Sequence, residues 1–202
     1  MMNYFLRIAS YLFHPLLMPL LGAGLYYKLT PRFIEPAIIQ AKLFAVIIIT
    51  ILIPIIIFYL LKNLKIVESI HLKKVTERKF PLMIQILLLL LIIKMVYSSY
   101  ESPEMYYFFI AILFSTIAAL IVVMFRFKIS LHQMGVSGVT MFLIALSIHF
   151  KINILFGIGF LFFCNGWVAS SRLHSNSHSY PELVLGFVLG VIPQLIILNL
   201  WL

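Results

Sequence analysis

The sequence predicts an all-α fold: a polytopic bundle of about six or seven membrane-spanning helices, forming one integral membrane domain over residues 1–202. Three observations lead there. Hydrophobic residues make up 63% of the chain and charged ones 10%, with a mean hydropathy of +1.12, whereas roughly a quarter of the residues in a soluble domain are charged. Apolar runs recur along the whole chain, most of them near the length of about 20 residues that a span requires. No repeat, low-complexity tract or long linker divides the chain, and membrane helices must satisfy their polar groups against one another. The single cysteine, Cys164, lies in an apolar run and excludes a disulfide framework or a cysteine-based metal site.

Seven apolar segments follow in order. The first, 4–27, contains Pro15, Pro19, Gly22 and Gly24 and reads as a kinked span or a re-entrant element. His14, Pro15 and Pro19 within it argue against a cleavable signal peptide. The second, 41–61, carries Pro54. The third, 81–97, is short, with Lys94 near its end where the side chain can snorkel to the interface. The fourth and fifth cover 105–125 and 130–149, the sixth 153–170 and the seventh 181–202. Gly186 and Gly190 in the seventh form a small-xxx-small spacing that allows close helix packing.

Helix parity sorts the loops. If the second segment ends on side X, then loops 62–80, 126–130 and 171–180 all lie on X, because an even number of spans separates them. The first holds Lys73, Lys74, Arg78 and Lys79, the second Arg126, Lys128, Ser130 and His132, and the third Ser171, Arg172, His174, His178 and Glu182. Ten of the fifteen Lys and Arg residues fall on X, which points X to the cytoplasm. Setting aside Lys73, Arg78 and Arg172 as candidate phosphate ligands leaves seven against five, and the orientation stays open.

The run 171–182, SRLHSNSHSYPE, concentrates the chemistry. Arg172 offers a planar fork for phosphate oxygens. His178 can attack phosphorus or carry protons. Glu182, one helical turn on, can hold the imidazole in one tautomer. Ser130 with Gln133, and Ser179 with Glu182, have capping-box spacing, so His132 falls in the first turn of a helix. Two helix N-termini then converge with several cations, an arrangement suited to an anion. Glu182 reads equally well as the capping partner of Ser179. His174 and His178 lack a third ligand, so no metal is expected. His14 reads as a residue of the kink, and His71 and His149 as interfacial.

The three loops together resemble the motifs of the type 2 phosphatidic acid phosphatase family, whose pattern is K-x6-R-P, P-S-G-H and S-R-x5-H-x3-D. Here Lys73 is followed by Phe80-Pro81, the second motif reads Ile129-Ser130-Leu131-His132, and the third matches at Ser171, Arg172 and His178 with Glu182 for aspartate. The resemblance spans Lys73 to Glu182 and the following helix, within a phosphatase-like core of about 62–202. It implies that His178 is a nucleophile forming a phosphohistidine, Glu182 its orienting carboxylate, and His132 the acid for the leaving group. It also implies that Lys73, Arg172, Ser130 and Ser171 bind phosphate. Phe80 stands where the family has arginine. Arg78 is the substitute two residues earlier, reached by a flexible link before the third helix, with Phe80 extended ahead of Pro81. An arginine placed at position 80 would rebuild the family pattern.

The expectation is an integral, multi-pass enzyme of the plasma (inner) membrane that hydrolyses a lipid-linked phosphomonoester or diphosphate without metal or other cofactor. Its partners would be a lipid phosphate and membrane lipids, with no nucleic acid. The alternative is a catalytically weakened relative that binds lipid phosphate or a protein partner, favoured by Phe80 and Glu182.

Overall fold

The computed structural model describes residues 2–66 and 75–202, and among these every regular element is helical. In chain order they are α1 (Met2–Leu12), a 3-10 turn (Pro15–Leu17), α2 (Met18–Leu29), α3 (Pro36–Ile47), a π turn (Ile48–Leu52) and α4 (Ile53–Asn63). A second 3-10 turn (Val75–Arg78) leads into α5 (Lys79–Met95), followed by α6 (Pro103–Met124), α7 (Leu131–Phe150), α8 (Leu155–His174) and α9 (Tyr180–Leu198). Four of the helical stretches are long and apolar enough to cross a membrane: Pro36–Asn63, Pro103–Met124, Leu131–Phe150 and Tyr180–Leu198. The bent pair Tyr4–Leu12 and Pro15–Leu29 makes a fifth if counted as one span. The chain is therefore an all-α protein with four or five candidate spans, a coarser count than six or seven.

The first segment breaks at one place only. The axis bends by 45° around Phe13 and His14, where Pro15 opens the 3-10 turn and the His14 ring accepts the Leu16 N–H at 3.3 Å. Pro19 falls in the first turn of α2, where a missing N–H costs nothing. Gly22 continues that helix and gives room to the Phe108 ring, which an added Cβ would strike. α3, the π turn and α4 form one 28-residue helix. Pro54 would clash with the backbone one turn earlier; the wider turn before it absorbs the misfit, and Thr50 Oγ1 caps the Val46 carbonyl at 2.8 Å.

Helices α5 to α9 form the body, with α7 at its centre against α2, α8 and α9. Phe108 and Phe142 stack at 4.1 Å within the core. Polar side chains tie α7 to α8: Gln133 Nε2 donates to Asn165 Oδ1 at 2.9 Å, and Asn165 Nδ2 donates to Thr140 Oγ1 at 2.8 Å. One end of the bundle is pinned by Glu104, wholly buried, whose carboxylate takes Arg32 at 2.7 Å and His149 Nε2 at 3.1 Å. His149 is thus a hydrogen-bond partner of that carboxylate as well as a residue at a helix end. At the other end, described residues from all three predicted side-X regions meet: Arg78 with Ile129, Lys128 with Ser177, and Ser130 with Glu182.

The α7–α9 crossing sets that end. A Cβ on Gly186 would come within 2.5 Å of the Ser130 carbonyl oxygen, and one on Gly190 would collide with Ser137 Oγ and Met134 O. Gly190→Ala is expected to destabilise the protein by about 1–3 kcal/mol, since the backbones must separate to admit the methyl. A fall in the thermal midpoint in detergent micelles checks this; an unchanged midpoint would contradict so close a crossing.

Candidate functional site

His178 is placed by the way α8 ends. After His174 the chain turns through Asn176, which adopts a left-handed conformation (φ 50°), one that asparagine tolerates better than most residues. The Arg172 carbonyl then accepts both the Ser177 N–H at 3.0 Å and the His178 N–H at 3.3 Å. The five residues between Arg172 and His178 therefore close a tight loop that brings the His178 backbone back to the end of α8.

α9 begins with the residue that holds that imidazole. His178 Nδ1 and Glu182 Oε2 lie 2.6 Å apart, and the His178 side chain is 6% exposed. The carboxylate accepts, so Nδ1 carries the proton and Nε2 keeps its lone pair. The capping box predicted for Ser179 and Glu182 is also formed, with the Ser179 N–H donating to the same Oε2 at 3.4 Å. The two readings of Glu182 are not rivals. One oxygen fixes the helix start and the tautomer together.

The N-terminus of α7 faces this turn. Ser130 accepts the Gln133 N–H at 3.4 Å, and the Ser130 N–H donates to the Glu182 backbone carbonyl at 3.2 Å. Only half of the box predicted here forms, because the Gln133 side chain is drawn to Asn165 on α8. His132 lies in the first turn, as expected. Its Nε2 sits 3.1 Å from the Ser10 carbonyl oxygen, which can only accept, so Nε2 carries the hydrogen and Nδ1 is the nitrogen left to exchange a proton.

Cations surround the two histidines. Arg172 Nη2 donates to Ser175 Oγ and Ser177 Oγ at 3.3 and 3.2 Å. Its Nε–H is buried without a hydrogen-bond partner among the described residues, a situation that costs about 1–3 kcal/mol and that an anion's oxygen would relieve. Lys128 donates to the Ser177 carbonyl. Arg78, 9% exposed, donates to the Ile129 carbonyl at 2.9 Å, and its charge lies in the fields of Glu182 and Arg172. His132 in turn lies in the fields of Arg172, His14 and His178.

Two local expectations are corrected. Phe80 is helical rather than extended, in the first turn of α5; Pro81 is the third residue of that helix, where the absent N–H has no intrahelical partner to lose. Phe80 is 52% exposed. Arg78 needs no flexible link, since the 3-10 turn runs straight into α5 and seats the guanidinium inside. Ser171 is buried, its hydroxyl 2.6 Å from that of Ser10. Lys73 lies outside the described residues.

Sequence reasoning missed the N-terminal contribution. Ser10 touches both His132 and Ser171, and the His14 and His132 rings meet edge-on with centroids 5.3 Å apart. No spacing links residues 10–14 to 130 or 171. Lys128 was visible as a loop cation, but its contact with the His178 loop was not.

Burial pushes the His178 imidazole down from its ordinary 6.5 to about 4; the Lys128 and Arg78 charges act the same way and the Glu182 carboxylate opposes them. The ring is therefore neutral in the folded protein while the unfolded chain still binds a proton between pH 4 and 6.5. In that window stability rises with pH, and what His178 contributes is lost as pH falls toward 4. Any reaction that uses the Nε2 lone pair is expected to keep its rate at pH 6 and lose it near pH 4. A kcat/KM profile falling near 6.5 instead would remove His178 from this environment.

A mostly apolar cavity of about 130 Å³ lies within the bundle, bounded by α2, α4, α5, α6, α7 and α9, with Arg78 among its lining residues. Ser115, Thr116 and Gln194 are polar residues in its wall. The arrangement combines an imidazole with a free nitrogen, a second imidazole, three buried or half-buried cations and an apolar chamber. No family model matches the chain, and no curated protein or solved structure matches it.

Proposed function

We propose that this chain is an integral membrane phosphatase of the type 2 phosphatidic acid phosphatase kind, acting on a lipid-linked phosphomonoester or diphosphate through a phosphohistidine. The observation that carries the reading is the His178–Glu182 pair set among Arg172, Arg78 and Lys128. In the first step His178 Nε2 attacks phosphorus and the bond to the lipid oxygen breaks, the leaving oxygen taking the Nδ1 proton of a His132 that enters the cycle as imidazolium. In the second, water attacks the phosphohistidine, gives a proton to His132 and releases phosphate, returning His178 Nε2 to its lone pair. The cations neutralise charge that spreads over the phosphoryl oxygens in both transition states.

The cavity lined in part by Arg78 supports a lipid substrate: the headgroup lies among the cations and the tail between the helices. In this reading α5, about 26 Å long at 1.5 Å per residue, and α8 also cross the bilayer. Together with the bent first segment they bring the spans to seven, in the plasma membrane.

A second reading is favoured by one observation, the outward-facing Phe80 where an arginine would complete the first motif. In that reading the chain binds lipid phosphates without turning them over. The test is phosphate release from a panel of lipid phosphates by the purified protein in EDTA, with binding of the same lipids measured in parallel. Release supports the enzyme, binding without release supports the second reading, and neither would sink both.

A further inference from the structure

We propose that the N-terminal segment is a fourth element of this site, and that His14 is a phosphate-binding residue, donating its Nε2–H to an oxygen of the bound headgroup. The inference rests on the phosphatase reading and adds a residue that lies outside its three motifs. His14 terminates α1 and opens the 3-10 turn in an extended conformation (φ −64°, ψ 137°), its Nδ1 accepting the Leu16 N–H at 3.3 Å. An acceptor at Nδ1 places the proton of the neutral ring on Nε2. That N–H makes no hydrogen bond among the described residues, and His14 as a whole residue keeps access to solvent.

The ring is also held where a headgroup would be. It meets His132 edge-on at 5.3 Å and lies within the field of the Arg172 guanidinium. The helix before it is anchored on α8. Phe5 stacks on Trp167 at 4.4 Å, Phe13 packs against the edge of the same indole at 6.1 Å, and Trp167 Nε1 donates to the Phe5 carbonyl at 3.1 Å. Ala9, one turn from each phenylalanine, is fully buried. Two further contacts bind this segment to the site itself, Ser10 Oγ to Ser171 Oγ and His132 Nε2 to Ser10 O. A segment serving only to kink the first span has no need of contacts with both motif residues. One that presents a donor requires them, because a donor is useful only if held still.

Two substitutions separate a ligand from a cap. His14→Asn keeps an acceptor for the Leu16 N–H, asparagine being a strong N-cap, but loses the distal donor. His14→Gln sacrifices the cap geometry and restores an N–H near the position of Nε2. The experiment uses the full chain in detergent micelles with ¹⁵N-labelled histidine, titrated with inorganic phosphate. The His14 and His178 resonances are expected to move along one binding curve. His14→Asn is expected to weaken phosphate binding roughly tenfold, the effect of losing one hydrogen bond to a charged group, while His14→Gln stays within about threefold. If His178 responds to phosphate and His14 does not, or His14→Asn binds as the wild type does, His14 is a cap alone and the inference fails while the phosphatase reading stands. If neither histidine responds, the phosphate site itself is refuted.

Discussion

His178→Ala is expected to abolish phosphate release, lowering turnover by about four orders of magnitude or more, because a covalent nucleophile cannot be bypassed by the groups around it. Glu182 gives the sharper experiment, since its Oε2 serves both the Ser179 N–H and His178 Nδ1. Glu182→Gln retains an oxygen that can accept from the Ser179 N–H, so the start of α9 should survive and the thermal midpoint should change little. The carboxamide cannot stabilise a positively charged imidazole, and it can present its N–H to Nδ1 and favour the wrong tautomer. The analogous loss in a serine protease triad is about 10⁴-fold, and a fall of 10³-fold or more in kcat is expected here. Equal losses of stability and activity in Glu182→Gln would mean that the carboxylate is a cap only. Retained turnover in His178→Ala would remove the phosphohistidine. His132 should behave differently from both: His132→Ala should spare a substrate whose leaving group needs no proton, and equal losses with activated and ordinary leaving groups would exclude it as the acid.

Arg78→Ala is expected to lower kcat/KM for a lipid phosphate by about 10²–10³-fold, the size seen when one preorganised donor to transition-state charge is removed. It also leaves the buried Ile129 carbonyl without the guanidinium that now donates to it, so the thermal midpoint should fall as well. Arg78→Lys keeps the charge but not the planar fork, and should recover binding better than turnover. Phe80→Arg in the Arg78→Ala background is expected to restore little. Position 80 follows two residues later on the same turn of backbone, roughly 200° around a helix, and the residue is half exposed. An arginine there is directed away from the site that Arg78 reaches. Substantial rescue by Phe80→Arg would show that the first turn of α5 can rotate to bring residue 80 inward. Unchanged kinetics in Arg78→Ala would make Arg78 a structural clasp between the turn before α5 and the loop before α7.

Much of the site could be read from linear order because its parts are local. The His178–Glu182 contact spans one turn of helix, and the Ser179 cap spans three residues, so sequence spacing alone determines both. Ser130 at the start of α7 is readable for the same reason. Expectations failed where a local rule met a tertiary demand. Gln133 has the spacing to reach back to Ser130, but a buried amide on α8 holds it instead. Phe80 precedes a proline and ought to be extended, yet the helix begins before it, because a proline among the first four residues sacrifices no hydrogen bond. The number of spans also stays coarse, since α5 has 17 residues and α8 carries Asn165, Arg172 and His174.

The amino-acid sequence by itself determined the class of the protein, the seven apolar segments and the helix starts that carry Ser130, His132 and Glu182. Each of these depends on composition, on apolar run length or on residues within one or two turns of each other. Only the tertiary structure decided that Ser10 and His14 join His132 and Ser171, that Arg78 is buried beside Ile129, and that an apolar chamber opens next to these groups. Those contacts bridge from about 50 to more than 160 residues and arise from the packing of distant elements such as α1 on α8. No period or motif in a linear sequence encodes which faces of distant helices will meet.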